Sequence, residues 1–258
     1  IRKANVLDGT AENYVYGDLP AMDQDAWAMV LIDGEGKFMK IPVQSAEENK
    51  RIREIKLDLA EDGSLKGEAL ISQSGIFAAY YRSIFKDLGE TKRGEAIQNS
   101  LSSSCPGSVL EEFSFSDLAD LDVPVEQKYK FRVPHYAKKI GNKLQFKPSI
   151  IERIESTSIV AKEDRRYQMY FYNQYCSQNI IEITMPEGYV AERIPDDVDL
   201  ILPFGSYRVK YLVEDNTIRY ERYYKFNTFE ISKDDYPSFK KFIEQIAKED
   251  AQEIILKQ

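Results

Sequence analysis

Apolar and polar residues alternate with a period of two along several stretches of the chain, the pattern of half-buried β-strands. In the first stretch, Ile55, Leu57 and Leu59 alternate with charged residues and lead into Asp62-Gly63. An Asp-Gly pair is typical of tight hairpin turns, and the alternation resumes directly after it. The pattern therefore predicts a β-hairpin in this part of the chain.

The same alternation recurs downstream, and turn residues rather than long helices separate most of these segments. They cover residues 129–133, 144–146, 167–171, 181–185, 207–213 and 218–220, with a last short strand at 254–256. Short strands joined by turns favour an antiparallel arrangement over a parallel α/β sheet. The predicted fold class is mainly β: an antiparallel β-sandwich region with two helices.

The two helices are predicted where apolar residues recur every three or four positions. One lies near 76–101, with Gly89 as a stop signal and a weaker helix resuming beyond it. The other lies near 235–249, with Asp234 or Asp235 as its cap. The Ser-rich stretch 102–107 is expected to be a loop.

Composition and charge narrow the class of function. The 258 residues include 35 Lys and Arg against 43 Asp and Glu, a formal net charge of −8. This acidic balance, without a basic block, argues against nucleic-acid binding. The longest apolar run, 26–32, is far shorter than the ~20 residues of a membrane span, so none is expected. The chain starts at Ile1 without Met or a signal peptide, so we expect a processed, trimmed or partial polypeptide.

The residues that could bind metals or cofactors are few. Two cysteines and one histidine cannot supply the roughly four ligands of a structural zinc site. The acidic clusters at 117–122 and 196–199 lack the glycine and terminal glutamate of an EF-hand loop, and solvated turns account for them. We therefore expect no metal and no cofactor.

His135 with Cys105 or Cys176 could in principle form a thiolate–imidazolium pair, as in cysteine hydrolases. However, His135 follows an alternating strand, and a cysteine within a Tyr-rich strand usually packs as a small hydrophobic residue. The sequence favours structural roles for all three residues and unpaired thiols over a disulfide.

Tyrosines on the downstream strands have two interpretations. They stabilise the sheet through cross-strand pairs, or those that face outward bind a glycan or a protein. The residues concerned are Tyr170, Tyr172, Tyr175, Tyr220, Tyr223 and Tyr224.

One motif carries a family resemblance. The sequence VLDGT at 6–10, followed by GDLP at 17–20, resembles the end of a transglutaminase-like core, and 27–42 looks like the exit from it. The pattern Tyr236-x-x-Phe239-x-x-Phe242 resembles the closing helix of the same multidomain bacterial proteins, in which uncharacterised β-rich domains flank the core.

In that family the Asp of Asp-x-Thr is the third member of a Cys-His-Asp triad, so the resemblance implies that Asp8 is a triad acid. The family's Cys and His lie upstream of this Asp, and only seven residues precede Asp8 here. The chain alone is therefore expected to be inactive, and its partner would be the missing N-terminal catalytic region of the same protein. The resemblance also implies a periplasmic or cell-surface setting.

These expectations define the predicted organisation. Residues 1–43 are the tail of the transglutaminase-like core and its exit segment, 44–155 a β-rich domain with a helix, and 156–258 a C-terminal β-sandwich domain; 44–258 alternatively form one unit. The predicted function is a non-catalytic C-terminal accessory region of a transglutaminase-like cysteine enzyme, which serves as a scaffold or binds substrate or a partner. In the intact protein that enzyme would hydrolyse amide bonds or transfer acyl groups. The alternative is a free-standing β-sandwich module that binds glycan or protein.

Overall fold

The structure, a computed structural model, describes residues 6–154 and 157–258. Within these ranges the protein is mainly β, which confirms the predicted fold class. The strands are β1 (Trp27–Ile32), β2 (Glu35–Lys40), β3 (Lys50–Leu59), β4 (Leu65–Gln73), β5 (Val109–Phe115), β6 (Val125–Val133), β7 (Lys138–Ile140), β8 (Lys143–Phe146), β9 (Met169–Tyr170), β10 (Tyr175–Thr184), β11 (Val190–Arg193), β12 (Val198–Leu202), β13 (Gly205–Glu214), β14 (Thr217–Phe226), β15 (Glu230–Ile231) and β16 (Ile254–Lys257). The helices are α1 (Ile76–Phe85), α2 (Glu90–Ser104) and α3 (Tyr236–Asp250), with a 3₁₀ turn at Ser158–Val160.

The largest sheet has eight strands in the order β12-β13-β14-β10-β3-β4-β6-β5. Every neighbouring pair in it is antiparallel except β3 and β10, which are parallel. The expectation of an antiparallel arrangement is wrong at this pair. More than a hundred residues separate the two strands, so no tight turn forces them to run in opposite directions.

Strands from both predicted halves of the chain join in this sheet, with β3–β6 from the first half and β10 and β12–β14 from the second. The predicted domain limits stay predictions. Residues 1–5 and the boundary at 155/156 lie outside the described residues.

One face of the large sheet forms the core. Its inward side chains share a continuous apolar cluster with the four-stranded sheet β11-β16-β8-β7 and with all three α-helices. Phe242 on α3 stacks on Tyr224 of β14, with ring centroids 6.3 Å apart. The opposite face of the sheet carries mainly charged side chains, which is the pattern of a sheet covered on one side only.

The predicted hairpin is present as β3 and β4. Gly63 has φ of +83°, and a Cβ there would lie 2.3 Å from the carbonyl oxygen of Ala137. Asp62 Oδ1 accepts a hydrogen bond of 2.8 Å from the amide of Ser64. Only glycine combines this conformation with such a close backbone approach, so the Asp-Gly pair fixes the turn.

Both predicted helical regions are helical, with differences at their ends. The first region forms two helices, α1 and α2, on either side of Gly89. The loop expected at 102–107 is wrong for its first three residues, because α2 continues to Ser104. Buried Leu101 anchors that last turn, and Ser103 Oγ donates to the carbonyl of Asn99 at 2.9 Å.

Two further expectations need correction. Asp235 precedes α3 as predicted, but its carboxylate accepts a hydrogen bond from Ser232 Oγ at 2.7 Å instead of capping the helix amides. The strand expected at 167–171 is only two residues long, Met169–Tyr170. It pairs with the equally short β15, which leaves its neighbours outside any ladder.

Candidate functional site

Asp8 lies in a tight turn with Thr10. Its Oδ1 accepts hydrogen bonds of 2.8 Å from both the backbone amide and the hydroxyl of Thr10. Both bonds hold the pKa of Asp8 below its usual value, and the bond from the backbone amide has the larger effect. The Asp-x-Thr motif thus builds a local turn, the common role of such an aspartate. Its triad role stays a prediction.

The first two strands form the β1–β2 hairpin, which begins at Trp27 and pairs with no other strand among the described residues. Trp27, Met29 and Leu31 point to the same side of β1, and Phe38 on β2 is in register with Met29. Each of the four side chains is more than 60% exposed, from 62% for Met29 to 74% for Phe38. We call this set the hairpin face.

An apolar patch of this kind is uncommon on a soluble surface. Singly exposed apolar residues are ordinary, but contiguous ones mark interaction sites. Polar contacts join the two segments on either side of the hairpin. Gln24 Nε2 donates to Gln44 Oε1 at 3.0 Å, and Gln44 Nε2 donates to Asp18 Oδ1 at 2.6 Å.

Cys176 and His135 are far apart in the sheet. Cys176 is in register with Lys50 at the start of β3. His135 follows Val133, which lies at the opposite end of the sheet. Leu59 at the end of β3 pairs with a residue of β4 that in turn pairs with Val133. The nine steps from Lys50 to Leu59 span about 30 Å at ~3.3 Å per residue. These two residues therefore do not form a nucleophile–base pair in this fold.

Both thiols are free and buried. Burial raises the pKa of Cys105 to about 11, an effect that the charge of Arg153 partly opposes, and burial also raises the pKa of Cys176. His135 is exposed, in a turn with φ of +55°. A high pKa and burial are the opposite of what an activated thiolate needs.

Of the six candidate tyrosines, two are buried, two are exposed, and Tyr175 and Tyr223 are half-buried. Tyr220 and Tyr224 are buried in the core, whereas Tyr170 and Tyr172 are exposed by 70% and 77%. The two exposed rings line one wall of an open groove of about 430 Å³, with Phe171, Asn173 and Tyr175 also in its lining. We call this feature the tyrosine groove.

The acidic cluster at 117–122 forms turns as expected, whereas the expectation is wrong for 196–199, which lead into strand β12 and include its second residue. Asp117 and Asp120 each accept a 2.9 Å hydrogen bond from the amide two residues ahead, and Asp199 forms an exposed ion pair with Arg208. Among the residues that the structure describes, no three His, Cys, Asp or Glu side chains are arranged to hold a metal ion. No helix in the described ranges has the length and apolarity to cross a membrane.

A polar cluster that the sequence analysis did not identify lies on the inner face of β3 and β10. Arg53 Nη1 donates to Ser177 Oγ at 3.2 Å and to Asn179 Oδ1 at 3.1 Å, and it also pairs with Glu152. Arg51 Nη1 lies 3.5 Å from the same glutamate. We call Arg51, Arg53, Glu152, Ser177 and Asn179 the arginine cluster. The sequence did indicate that both arginines are buried, because they occupy the same alternating positions of β3 as its buried residues.

The chain has detectable similarity to known proteins. Residues 141–256 match the family described as a "Domain of Unknown Function with solved-structure structure (DUF3858)". A search of curated proteins found no match.

Among solved structures, the chain is similar to "a putative protease from Parabacteroides distasonis", with 11% sequence identity and a TM-score of 0.43. The similarity covers 86% of this chain and 29% of that one, so the present chain spans less than a third of that protein's length.

Proposed function

We propose that this chain is a non-catalytic accessory region of a transglutaminase-like cysteine enzyme, and that it contacts the catalytic region through the hairpin face. The observation that carries the proposal is the row of exposed apolar side chains on the first hairpin of the chain, which begins 17 residues after Thr10 of the Asp8 turn. Covering these side chains removes apolar surface from water, which stabilises association by roughly 25 cal/mol per Å² before the costs of binding.

We infer that the hairpin face binds the transglutaminase-like catalytic region, because residues 6–20 resemble the final segment of such a region. That resemblance places the hairpin immediately after the core in the chain, within reach of it. The burial of both thiols supports a non-catalytic role for this chain, because the nucleophile must then come from the catalytic region.

Trp27 gives a direct test, because it is the single tryptophan of the chain and lies in the hairpin face. We would label the chain with 5-fluorotryptophan and record its ¹⁹F resonance. The unlabelled polypeptide encoded upstream of Ile1 would then be added. The proposal predicts a shifted and broadened resonance and a saturable titration.

A matched pair of variants makes the test specific. Met29→Lys places a charge in the hairpin face and should weaken binding at least about tenfold, whereas Ala28→Lys on the other side of the same strand should not. An unperturbed Trp27, or equal effects of the two variants, would contradict the proposal. So would an upstream sequence without a Cys and a His.

The tyrosine groove favours a second candidate function, a module that binds glycan. Exposed aromatic rings beside an amide side chain offer stacking and hydrogen bonds to a sugar. Titration of soluble oligosaccharides, monitored by tyrosine fluorescence, should show saturation that Tyr172→Ala removes. Tyr80→Ala, another exposed tyrosine outside the groove, is the control.

A further inference from the structure

A cavity of about 300 Å³ lies between the two helices α1 and α2 and the inner face of the large sheet. Its walls are mostly apolar, from Ile71, Ile84, Phe85, Ile97 and Leu101. Its mouth reaches solvent beside Tyr80 and Ser100, which are both exposed. This is the common form of a small-molecule site: an apolar pocket with a few polar groups in it.

The polar groups in the cavity come from the sheet. Arg53, Gln127 and Tyr129 all line it, and all three are buried, with Arg53 only 5% exposed. The Gln127 amide and the Tyr129 hydroxyl make no hydrogen bond within the described ranges. Burial raises the pKa of Tyr129, and the nearby charge of Arg53 partly opposes that rise.

The guanidinium of Arg53 uses one edge for hydrogen bonds and leaves the other without a partner among the described residues. Nη1 serves Glu152, Ser177 and Asn179. Nε is a fully buried donor without a partner, and no hydrogen bond from Nη2 reaches a residue that the structure describes. A buried donor without an acceptor destabilises the fold, so this edge is expected to have a partner.

Another arginine of this protein shows what such an edge can bind. Arg222 holds the carboxylate of Asp250 through Nε at 2.7 Å and Nη2 at 2.8 Å. This side-on, two-point geometry is the preferred mode of Arg–carboxylate recognition. Arg53 presents the equivalent pair of atoms, with Nε fully buried and with no carboxylate of the described residues hydrogen-bonded to this edge.

The charges favour a single negative charge on the ligand. The arginine cluster holds two cations, Arg51 and Arg53, and one anion, Glu152. One positive charge is therefore uncompensated within the cluster, which matches a monocarboxylate better than a doubly charged phosphate.

From these observations we infer that the cavity binds a small monocarboxylate, whose carboxylate pairs with the Nε–Nη2 edge of Arg53 and whose apolar body lies between α1, α2 and the sheet. Gln127 and Tyr129 would donate further hydrogen bonds to the carboxylate oxygens. This inference does not depend on the proposed accessory role, because the hairpin face contributes no residue to the cavity.

Calorimetric titration of the 258-residue chain tests the inference. The probes are acetate, octanoate and phenylacetate, with the amides of the last two as neutral counterparts and inorganic phosphate as a further anion. Octanoate or phenylacetate should bind more tightly than acetate, because the apolar walls favour an apolar body. Either should bind at least about tenfold more tightly than its amide or phosphate.

Two variants locate the site. Arg53→Lys keeps the charge but removes the two-point edge, and it should weaken carboxylate binding about tenfold or more. Ser100→Trp fills the mouth from an exposed helix position and should abolish binding without altering the core. Ser103→Trp, exposed on the same helix but outside the cavity lining, is the matched control and should bind like the original chain.

Three results would overturn the inference: no probe binding below about 10 mM, amides or phosphate binding as tightly as the carboxylates, or unchanged binding in Ser100→Trp. If Arg53→Lys does not fold, the comparison of Ser100→Trp with Ser103→Trp still decides the question.

Discussion

Arg222 on β14 and Asp250 at the end of α3 form a two-point ion pair inside the core. The Nε–Oδ1 and Nη2–Oδ2 distances are 2.7 and 2.8 Å, and both side chains are at most 2% exposed. Asp250 also accepts hydrogen bonds from the hydroxyl of Tyr207 at 2.9 Å and the amide of Ile154 at 2.8 Å. One carboxylate therefore joins the closing helix, the large sheet and the segment that follows β8.

This relationship predicts a large effect on stability. Asp250→Asn leaves the Arg222 charge buried without its counter-ion and should lower the free energy of unfolding by about 3–5 kcal/mol. Urea unfolding would measure it. The control is Asp199→Asn, which breaks the half-exposed pair with Arg208 and should cost less than about 1 kcal/mol. Equal effects of the two substitutions would contradict the role given to Asp250.

Glu152 predicts how stability depends on pH. Burial alone would raise its pKa, but the charges of Arg53 and Arg51 and a hydrogen bond from Ser177 lower it from 4.5 to about 2. The folded-state pKa lies below the unfolded one, so the carboxylate stabilises the fold above about pH 4.5. This contribution is lost as pH falls from there towards about 2.

The measurement is urea unfolding across that pH range. Glu152→Gln should lower the free energy of unfolding by about 1–3 kcal/mol at pH 7, and the difference should disappear near pH 2. Glu54→Gln, at an exposed position on β3, should have little effect at any pH. A Glu152→Gln difference that persists unchanged to pH 2 would rule out this linkage.

The thiols should react slowly in the folded protein. A rise in the pKa of Cys105 from 9.0 to about 11 lowers its thiolate fraction at pH 8 about 100-fold, and burial blocks access as well. Iodoacetamide should therefore modify Cys105 and Cys176 only after denaturant is added, as mass spectrometry would show. Rapid modification of either thiol at pH 8, lost in His135→Ala, would instead support a self-sufficient cysteine hydrolase.

Asn49 joins the start of α1 to the segment before β10. It is completely buried, its Oδ1 accepts from the amide of Ile76 at 3.1 Å, and its Nδ2 donates to the carbonyl of Gln174 at 3.0 Å. Asn49→Ala leaves both backbone groups without these partners and should cost about 2–3 kcal/mol by chemical denaturation. Asn99→Ala, exposed on α2, should change stability by less than about 0.5 kcal/mol, and a similar result at Asn49 would refute the assignment.

Strand alternation made much of the fold predictable, because it states which side chains face the core. It does not state which strand lies beside which, so the parallel pairing of β3 with β10 could not be derived. The same limit applies to the pairing of Arg222 with Asp250, since Arg222 shares the buried phase of β14 but its partner lies 28 residues away on a helix.

The arginine cluster was only partly predictable. Arg51 and Arg53 are in phase with Ile55 on β3, which signals burial. Their partner Glu152 lies in an irregular segment with a left-handed φ of +62°, for which no periodic pattern exists. The exposure of the hairpin face could not be foreseen either, because a continuous apolar run such as 26–32 normally indicates a buried strand.

The central claim is that this chain assists chemistry carried out elsewhere. The most direct test measures hydrolysis of amide and ester substrates, and amine incorporation into a glutamine-containing protein, by purified residues 1–258. The account predicts no turnover above buffer, and no difference when both Cys105 and Cys176 are replaced by serine. Turnover by the chain alone that disappears in the double serine variant would contradict it.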